Sequence, residues 1–148
     1  MQISSRFTIA THILIMIALE GDAHRLTSDY MAGSVGVNPV IIRKTLSQLK
    51  KAGFIEVARG TGGAHITQKL EDISLLDVYQ AVDSLGATGQ LFSFHEHPNP
   101  SCPIGKNIHG VLDHQLEAAQ KAMEDTLSQT TLAEVVAEAD GKMTQAVS

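Results

Sequence analysis

Residues 27–67 read TSDYMAGSVGVNPVIIRKTLSQLKKAGFIEVARGTGGAHIT, a run holding two helix starts, two glycine stops and a glycine-rich tip. Thr27 can cap a helix whose first turn carries Asp29, with Tyr30, Met31 and Val35 as its apolar side and Gly36 as its end. Asn38 suits a second N-cap and Pro39 the first helical position, so a second helix is expected from Pro39 to about Ala52, stopping at Gly53. Ile42, Leu46 and Leu49 then share one face and dock on the preceding helix, while Arg43, Lys44, Ser47, Lys50 and Lys51 occupy the other. One packing stripe backed by a cationic and hydroxyl stripe is what a helix needs if it is to lie in a major groove.

Downstream, Phe54-Ile55-Glu56-Val57 has the pattern of a half-buried strand, and Ala64-His65-Ile66 can be its return. Between them, Arg59-Gly60-Thr61-Gly62-Gly63 forms a tip whose backbone can approach a sugar-phosphate wall, with an arginine suited to a narrow minor groove. The competing reading is a phosphate-cradling nucleotide loop. It is disfavoured because the segment lacks the Gly-Lys-Ser/Thr ending and the helix that should follow. Two helices and a basic hairpin in this order predict a winged helix-turn-helix.

Charge is divided along the chain. Residues 1–69 hold eight Lys or Arg against four Asp or Glu, giving +4, whereas residues 70–148 hold three against twelve, giving −9. A chain of net charge −5 can thus present a basic face to phosphates while its acidic half discourages indiscriminate coating of DNA.

Six segments, two of them within the stretch already read, extend the pattern to a family: MQISSRFTIATHIL at 1–14, VNPVIIRKTLSQLKKAGFI at 37–55, RGTGGAHI at 59–66, ISLLDVYQAVD at 73–83, and HEHPNPSCPIGKNI at 95–108 with the closing TLAEVV at 131–136. In that order and spacing they resemble the Rrf-two family of bacterial winged-helix transcription regulators, particularly its subgroup without an iron-sulphur cluster. The resemblance implies a homodimer on a roughly palindromic double-stranded DNA operator, most simply a repressor. It places the second helix of each copy in a major groove and the wing arginine in the flanking minor groove. By position, the DNA-binding candidates are Asn38, Pro39, Val40, Arg43, Lys44, Ser47, Arg59, Thr61 and Gly62.

The cluster-binding members use three closely spaced cysteines and a further ligand, whereas this chain has one cysteine, Cys102. One thiolate cannot hold a [2Fe–2S] cluster, for which four ligands are the rule, so no cofactor is expected. Pro98-Asn99-Pro100-Ser101-Cys102-Pro103 interrupts any helix, and Pro103 suits the first position of the next, leaving Cys102 at or near its N-cap. There the dipole lowers a thiol pKa, which makes Cys102 a redox-sensing candidate, through a sulphenic acid, a mixed disulfide or a bridge to a second subunit. Hypochlorite-sensing members of the family carry a cysteine in a similar Asn-Pro-x-Cys-Pro context. The plainer alternative is a small buried residue that packs the junction. His95, His97 and His109 with Cys102 raise a metal-site alternative, but their spacing matches no closed structural motif.

The remaining segments fit one architecture, mainly α with a small β component. Phe7–Leu19 is an apolar core helix interrupted by His12, too short to span a bilayer, and Arg6 before it is either a phosphate contact or a surface arginine. Ser74 caps a helix through about Leu85. Residues 86–103 form a linker, whose Leu91–Phe94 patch can dock as a strand or wall a small-molecule effector pocket. From Ile104 to about Leu127 a long helix carries Ile108, Leu112, Leu116, Ala119, Met123 and Leu127 on one face, with Val111, Ala118 and Ala122 widening it, and Asp113, Glu117 and Lys121 on the wet side. Such breadth asks for a partner copy. A short helix to Ala139 and a frayed tail at 140–148 complete a division into a DNA-binding domain at 1–85, a linker, and a dimerisation region at 104–139.

With 43% hydrophobic residues in 148, the chain can bury one compact core, and a lone cysteine fits a reducing cytoplasm. No catalytic constellation is visible, since neither a nucleophile elbow nor a metalloprotease motif occurs, so an enzyme is not expected. The rival class is a protein-interaction module or a metal-binding protein without operator recognition.

Overall fold

The computed structural model describes residues 4–21, 25–58 and 63–147. Six helices and one hairpin follow in the order α1 (Arg6–Glu20), α2 (Ser28–Val35), α3 (Pro39–Lys51), β1 (Ile55–Ala58), β2 (Gly63–Ile66), a 3-10 turn at Leu70–Asp72, α4 (Leu75–Ala81), α5 (Pro103–Ser128) and α6 (Leu132–Val147). The core forms around α1, whose Ile9, Ala10, Ile13, Leu14, Met16 and Ile17 are all buried. Only a helix enclosed on most sides can carry so continuous an apolar run. His12, which with Thr11 interrupts this run, places Nε2 3.0 Å from the Ser34 hydroxyl of α2 and so keeps its polar edge satisfied.

Caps set the helix-turn-helix. The Thr27 hydroxyl accepts from the Tyr30 amide at 3.0 Å, and Gly36 closes α2 in the left-handed region at φ 81°. Asn38 Oδ1 accepts from the Val40 amide at 2.8 Å, with Pro39 opening α3. Met31 of α2 and Ile42 and Leu49 of α3 meet in the core, together with Thr45, whose hydroxyl enters the interior by donating to the Ile41 carbonyl at 2.8 Å. Two residues depart from the expected faces. Leu46 is only half-buried, Thr45 taking the deeper place, and Tyr30 stands 49% exposed because the residue beside it, Met31, holds the inward direction.

β1 and β2 pair antiparallel in the register Ile55 with Ile66, Glu56 with His65, Val57 with Ala64 and Ala58 with Gly63. Ile55 is buried at the root, and in the outer pair Ala64 is buried while Val57 is exposed, so the hairpin keeps its β2 side against the body and turns β1 outward. Its tip, residues 59–62, lies outside the described residues.

α4 opens with a reciprocal box: the Ser74 hydroxyl accepts from the Asp77 amide at 3.0 Å and Asp77 Oδ2 from the Ser74 amide at 2.9 Å. It ends at Ala81, earlier than the expected Leu85, because Asp83 turns into the left-handed region at φ 49° and the Ser84 amide bonds back to the Tyr79 carbonyl.

The C-terminal part differs most from its expectation. α6 runs to Val147, so the residues assigned to a frayed tail from Asp140 are helical. Nor does α6 belong to the arm alone: Leu132 is fully buried and Val136 nearly so in the core around α1. The Leu75 amide donates to the Thr130 carbonyl at 2.9 Å and the Leu132 amide to the Ile73 carbonyl at 2.7 Å, which ties the start of α6 to the start of α4. The linker and α5 are therefore an excursion that leaves the body after α4 and returns beside it. α5, 26 residues long, has no side chain buried within the chain.

Candidate nucleic-acid interface and thiol site

Val40, Arg43, Lys44 and Ser47 recur at three- and four-residue spacing and so share one strip of α3. All four are exposed, Val40 by 60%, and the strip is opposite Ile42 and Leu49. At its head, Asn38 spends its side-chain oxygen on the cap, which leaves the amide nitrogen as an outward donor, and Pro39 is half-buried. Ile41, exposed beside Val40, is a further apolar contact of this surface that sequence reasoning assigned no role. Its signal was present: it lies one residue off the Ile42–Leu49 stripe. The strip combines an apolar end, two cations and a hydroxyl, which suits contacts to thymine methyls, guanine edges and phosphates.

The hairpin stands alongside, with Glu56 and His65 exposed on its outer face. The wing candidates Arg59, Thr61 and Gly62 lie outside the described residues. Arg6 is committed elsewhere: its Nη1 donates to the Asp83 carbonyl at 3.4 Å and joins the start of α1 to the end of α4.

Cys102 occupies the N-cap of α5, as the proline spacing predicted, and is partly exposed. The Gly105 amide first, then that of Ile104, pulls the thiol pKa below its ordinary value against a smaller opposing effect of burial, although neither closes a full cap hydrogen bond. The preceding loop is folded tightly onto this turn. Asn99 Oδ1 accepts from the Ser101 amide at 2.9 Å and the Asn99 carbonyl from the Cys102 amide at 3.1 Å. A Cβ at Gly105 would come within 2.7 Å of the Asn99 carbonyl oxygen, which is why a glycine stands there.

The histidines divide. The rings of His95 and His109 lie 5.6 Å apart and Phe94 meets His109 edge-on, while His109 Nδ1 sits 3.0 Å from both Asp113 oxygens. Asp113, expected on the wet side, is half-buried for that reason. His97 is exposed, with Nε2 3.9 Å from the Glu96 carboxylate. Among the described residues no three His, Cys, Asp or Glu side chains are grouped to hold a metal ion. With a single cysteine in the chain, the donor set does not fit an iron-sulphur cluster. The Leu91–Phe94 patch forms no strand; Gln120 of α5, which sequence reasoning passed over, holds it by accepting from the Leu91 amide at 3.0 Å and donating to the Gly89 carbonyl at 2.9 Å.

A capped helix pair, an exposed mixed strip on the second helix, a two-stranded hairpin after it and a long C-terminal helix define a winged helix-turn-helix regulator. Residues 3–138 match the Rrf2 family, described as iron-dependent transcriptional regulator. The chain is 41% identical over 134 residues to YwnA of Bacillus subtilis strain 168, named as an HTH-type transcriptional regulator, covering 90% of this chain and 96% of that one. It is 30% identical over 145 residues to protein rrf2 of Nitratidesulfovibrio vulgaris, covering 94% and 89%. The oxidized form of Staphylococcus aureus CymR superposes with a TM-score of 0.65 at 20% identity, over 92% of this chain and 96% of that chain, a likeness of fold. The chain belongs to the Rrf2 family.

Proposed function

We propose that this protein is a homodimeric repressor that binds a roughly palindromic DNA operator and whose affinity responds to oxidation of Cys102. The observation that carries the DNA reading is the exposed strip Val40, Arg43, Lys44 and Ser47, backed by a helix face locked in the core. In this reading α3 of each copy lies in a major groove with Asn38 and Pro39 at its leading end, while Arg59, Thr61 and Gly62 follow the adjacent minor groove.

Dimerisation through α5 is supported by what that helix leaves uncovered. Ile104, 76% exposed, and Val111, 62% exposed, are seven residues apart and continue to exposed Ala118, a heptad line along the helix. Ile108, Leu116, Met123 and Leu127, by contrast, are half-buried, and α5 packs on α4 within the chain. Two apolar faces on one helix suit one neighbour within the chain and one in a second copy.

Redox control is supported by the lowered thiol pKa at the head of the same helix. Oxidation there converts a small thiol to a sulphenic acid or mixed disulfide at a turn packed against Asn99. The test is fluorescence anisotropy of the purified protein on its own promoter region, at fixed salt, reduced and after brief hypochlorite treatment. Tight binding that is lost on oxidation and restored by thiol is expected. Tight binding indifferent to oxidant removes the sensor and keeps the regulator. Absence of sequence-selective binding there, and then on other operators, removes the DNA reading.

A further inference from the structure

The direction in which the hairpin leaves α3 is set at Gly53, which follows the cap residue Ala52 and takes the left-handed region at φ 84°. The Gly53 amide donates to the Lys50 carbonyl at 3.0 Å and the Phe54 amide to the Leu49 carbonyl at 3.1 Å, so the N–H groups of this turn belong to α3. Its carbonyls belong to the far end of the hairpin. The Thr67 hydroxyl donates to the Gly53 carbonyl at 2.6 Å and Gln68 Nε2 donates to it at 3.0 Å, while the Thr67 amide takes the Phe54 carbonyl at 3.0 Å. The two residues that follow β2 thus close on two consecutive carbonyls that follow α3, and both lone pairs of the Gly53 oxygen are used.

The two side-chain bonds add little to stability. Gly53, Thr67 and Gln68 are all exposed, so water replaces a lost donor, and burial of the hairpin is supplied by Ile55 and Ala64. Apolar burial is non-directional: it decides which side of the hairpin faces inward and leaves open the pitch at which the strands depart from α3. A two-stranded ribbon has no third strand to fix that pitch. Leverage makes it matter. From Gly53 to Ala58, the outer end of β1, the strand rise gives about 16 Å, so a swing of about 10° at Gly53 displaces that end by about 3 Å, the length of a hydrogen bond.

We propose, resting on the reading of Arg59 as a minor-groove contact, that Thr67 and Gln68 are positioning residues for operator recognition. Their joint hold on the Gly53 carbonyl sets the hairpin at the pitch that lets α3 and the wing enter adjacent grooves of one half-site together. Neither side chain has to touch DNA, since each acts through Gly53.

The test is a double-mutant cycle, read by fluorescence anisotropy on the duplex that the protein binds in its own promoter region. It uses full-length wild type, the pair Thr67→Val with Gln68→Met, Arg59→Ala, and all three changes combined. Valine and methionine keep the bulk of each side chain and remove only the donor. The pair is expected to weaken binding by roughly fivefold or more at an unchanged thermal midpoint, yet to add less than about twofold once Arg59 is replaced, because a wing without its arginine gains nothing from being placed. Thr67→Ser, which keeps the donor, is expected to bind like wild type. A pair that binds like wild type overturns the proposal. So does a loss that multiplies in full with that of Arg59→Ala, which traces the effect to α3 or to folding. Arg59→Ala without effect removes the wing reading itself, and this proposal with it. Should the pair fold poorly, Gln68→Met alone, at an exposed position, is carried through the same cycle.

Discussion

Arg43 stands exposed on α3 between Val40 and Ser47. A guanidinium there can form a paired contact to a guanine edge, which a lysine cannot reproduce. Arg43→Ala is expected to weaken operator binding by about 1–3 kcal/mol and to relax preference at one base pair, read by anisotropy on operator variants. A uniform loss across all sequences would make it a phosphate contact instead. Cys102 makes a different prediction. Because the Gly105 and Ile104 amides favour its thiolate, alkylation by iodoacetamide should reach half its limiting rate at a pH below that of a free cysteine peptide. A midpoint at or above the peptide's would show the cap does not act on sulphur. Cys102→Ser should bind DNA like reduced protein and ignore oxidant; a variant that still responds would remove the thiol as sensor.

Among the elements, α6 is the one whose role changed with the tertiary structure. Its Leu132 is enclosed beside α1, and its first amide reaches the Ile73 carbonyl. Leu132→Ala is therefore expected to cost about 2–5 kcal/mol in urea denaturation, the price of a core cavity. A loss below about 0.5 kcal/mol, the range of surface substitutions, would mean α6 does not close the core. α3 and α5 contrast in the same terms. α3 has one buried face and one free face, so its outward chemistry is independent of any partner, whereas α5 has none of its residues buried and is incomplete as a packed element.

At the scale of the molecule, the proposed dimer would link the free face of α5 to the operator, since two half-sites one turn apart require two copies held at fixed spacing. Val111→Glu places a charge on the Ile104–Val111–Ala118 line while touching neither α3 nor the core. Sedimentation should then give a monomer, and operator affinity should fall by more than tenfold with a shallower salt dependence. A variant that remains dimeric would move the interface elsewhere. No helix among the described residues is long and apolar enough to cross a membrane.

The features legible in the order of residues are local. Thr27, Asn38 and Ser74 cap helices because their side-chain oxygens reach amides two or three residues ahead, and the Ile42–Leu49 spacing sets the buried face of α3. Pro103 likewise puts Cys102 at an N-cap. Those interactions close within a turn of chain, so residue type and spacing suffice to read them. The contacts that no local pattern specifies join residues far apart in the chain. The docking of α6 on α1, the His95–His109 approach and the grip of Gln120 on the linker each depend on how α5 returns to the body. Periodicity states that a face must be covered; which segment covers it is settled by chain closure and packing, for which one sequence carries no local signal.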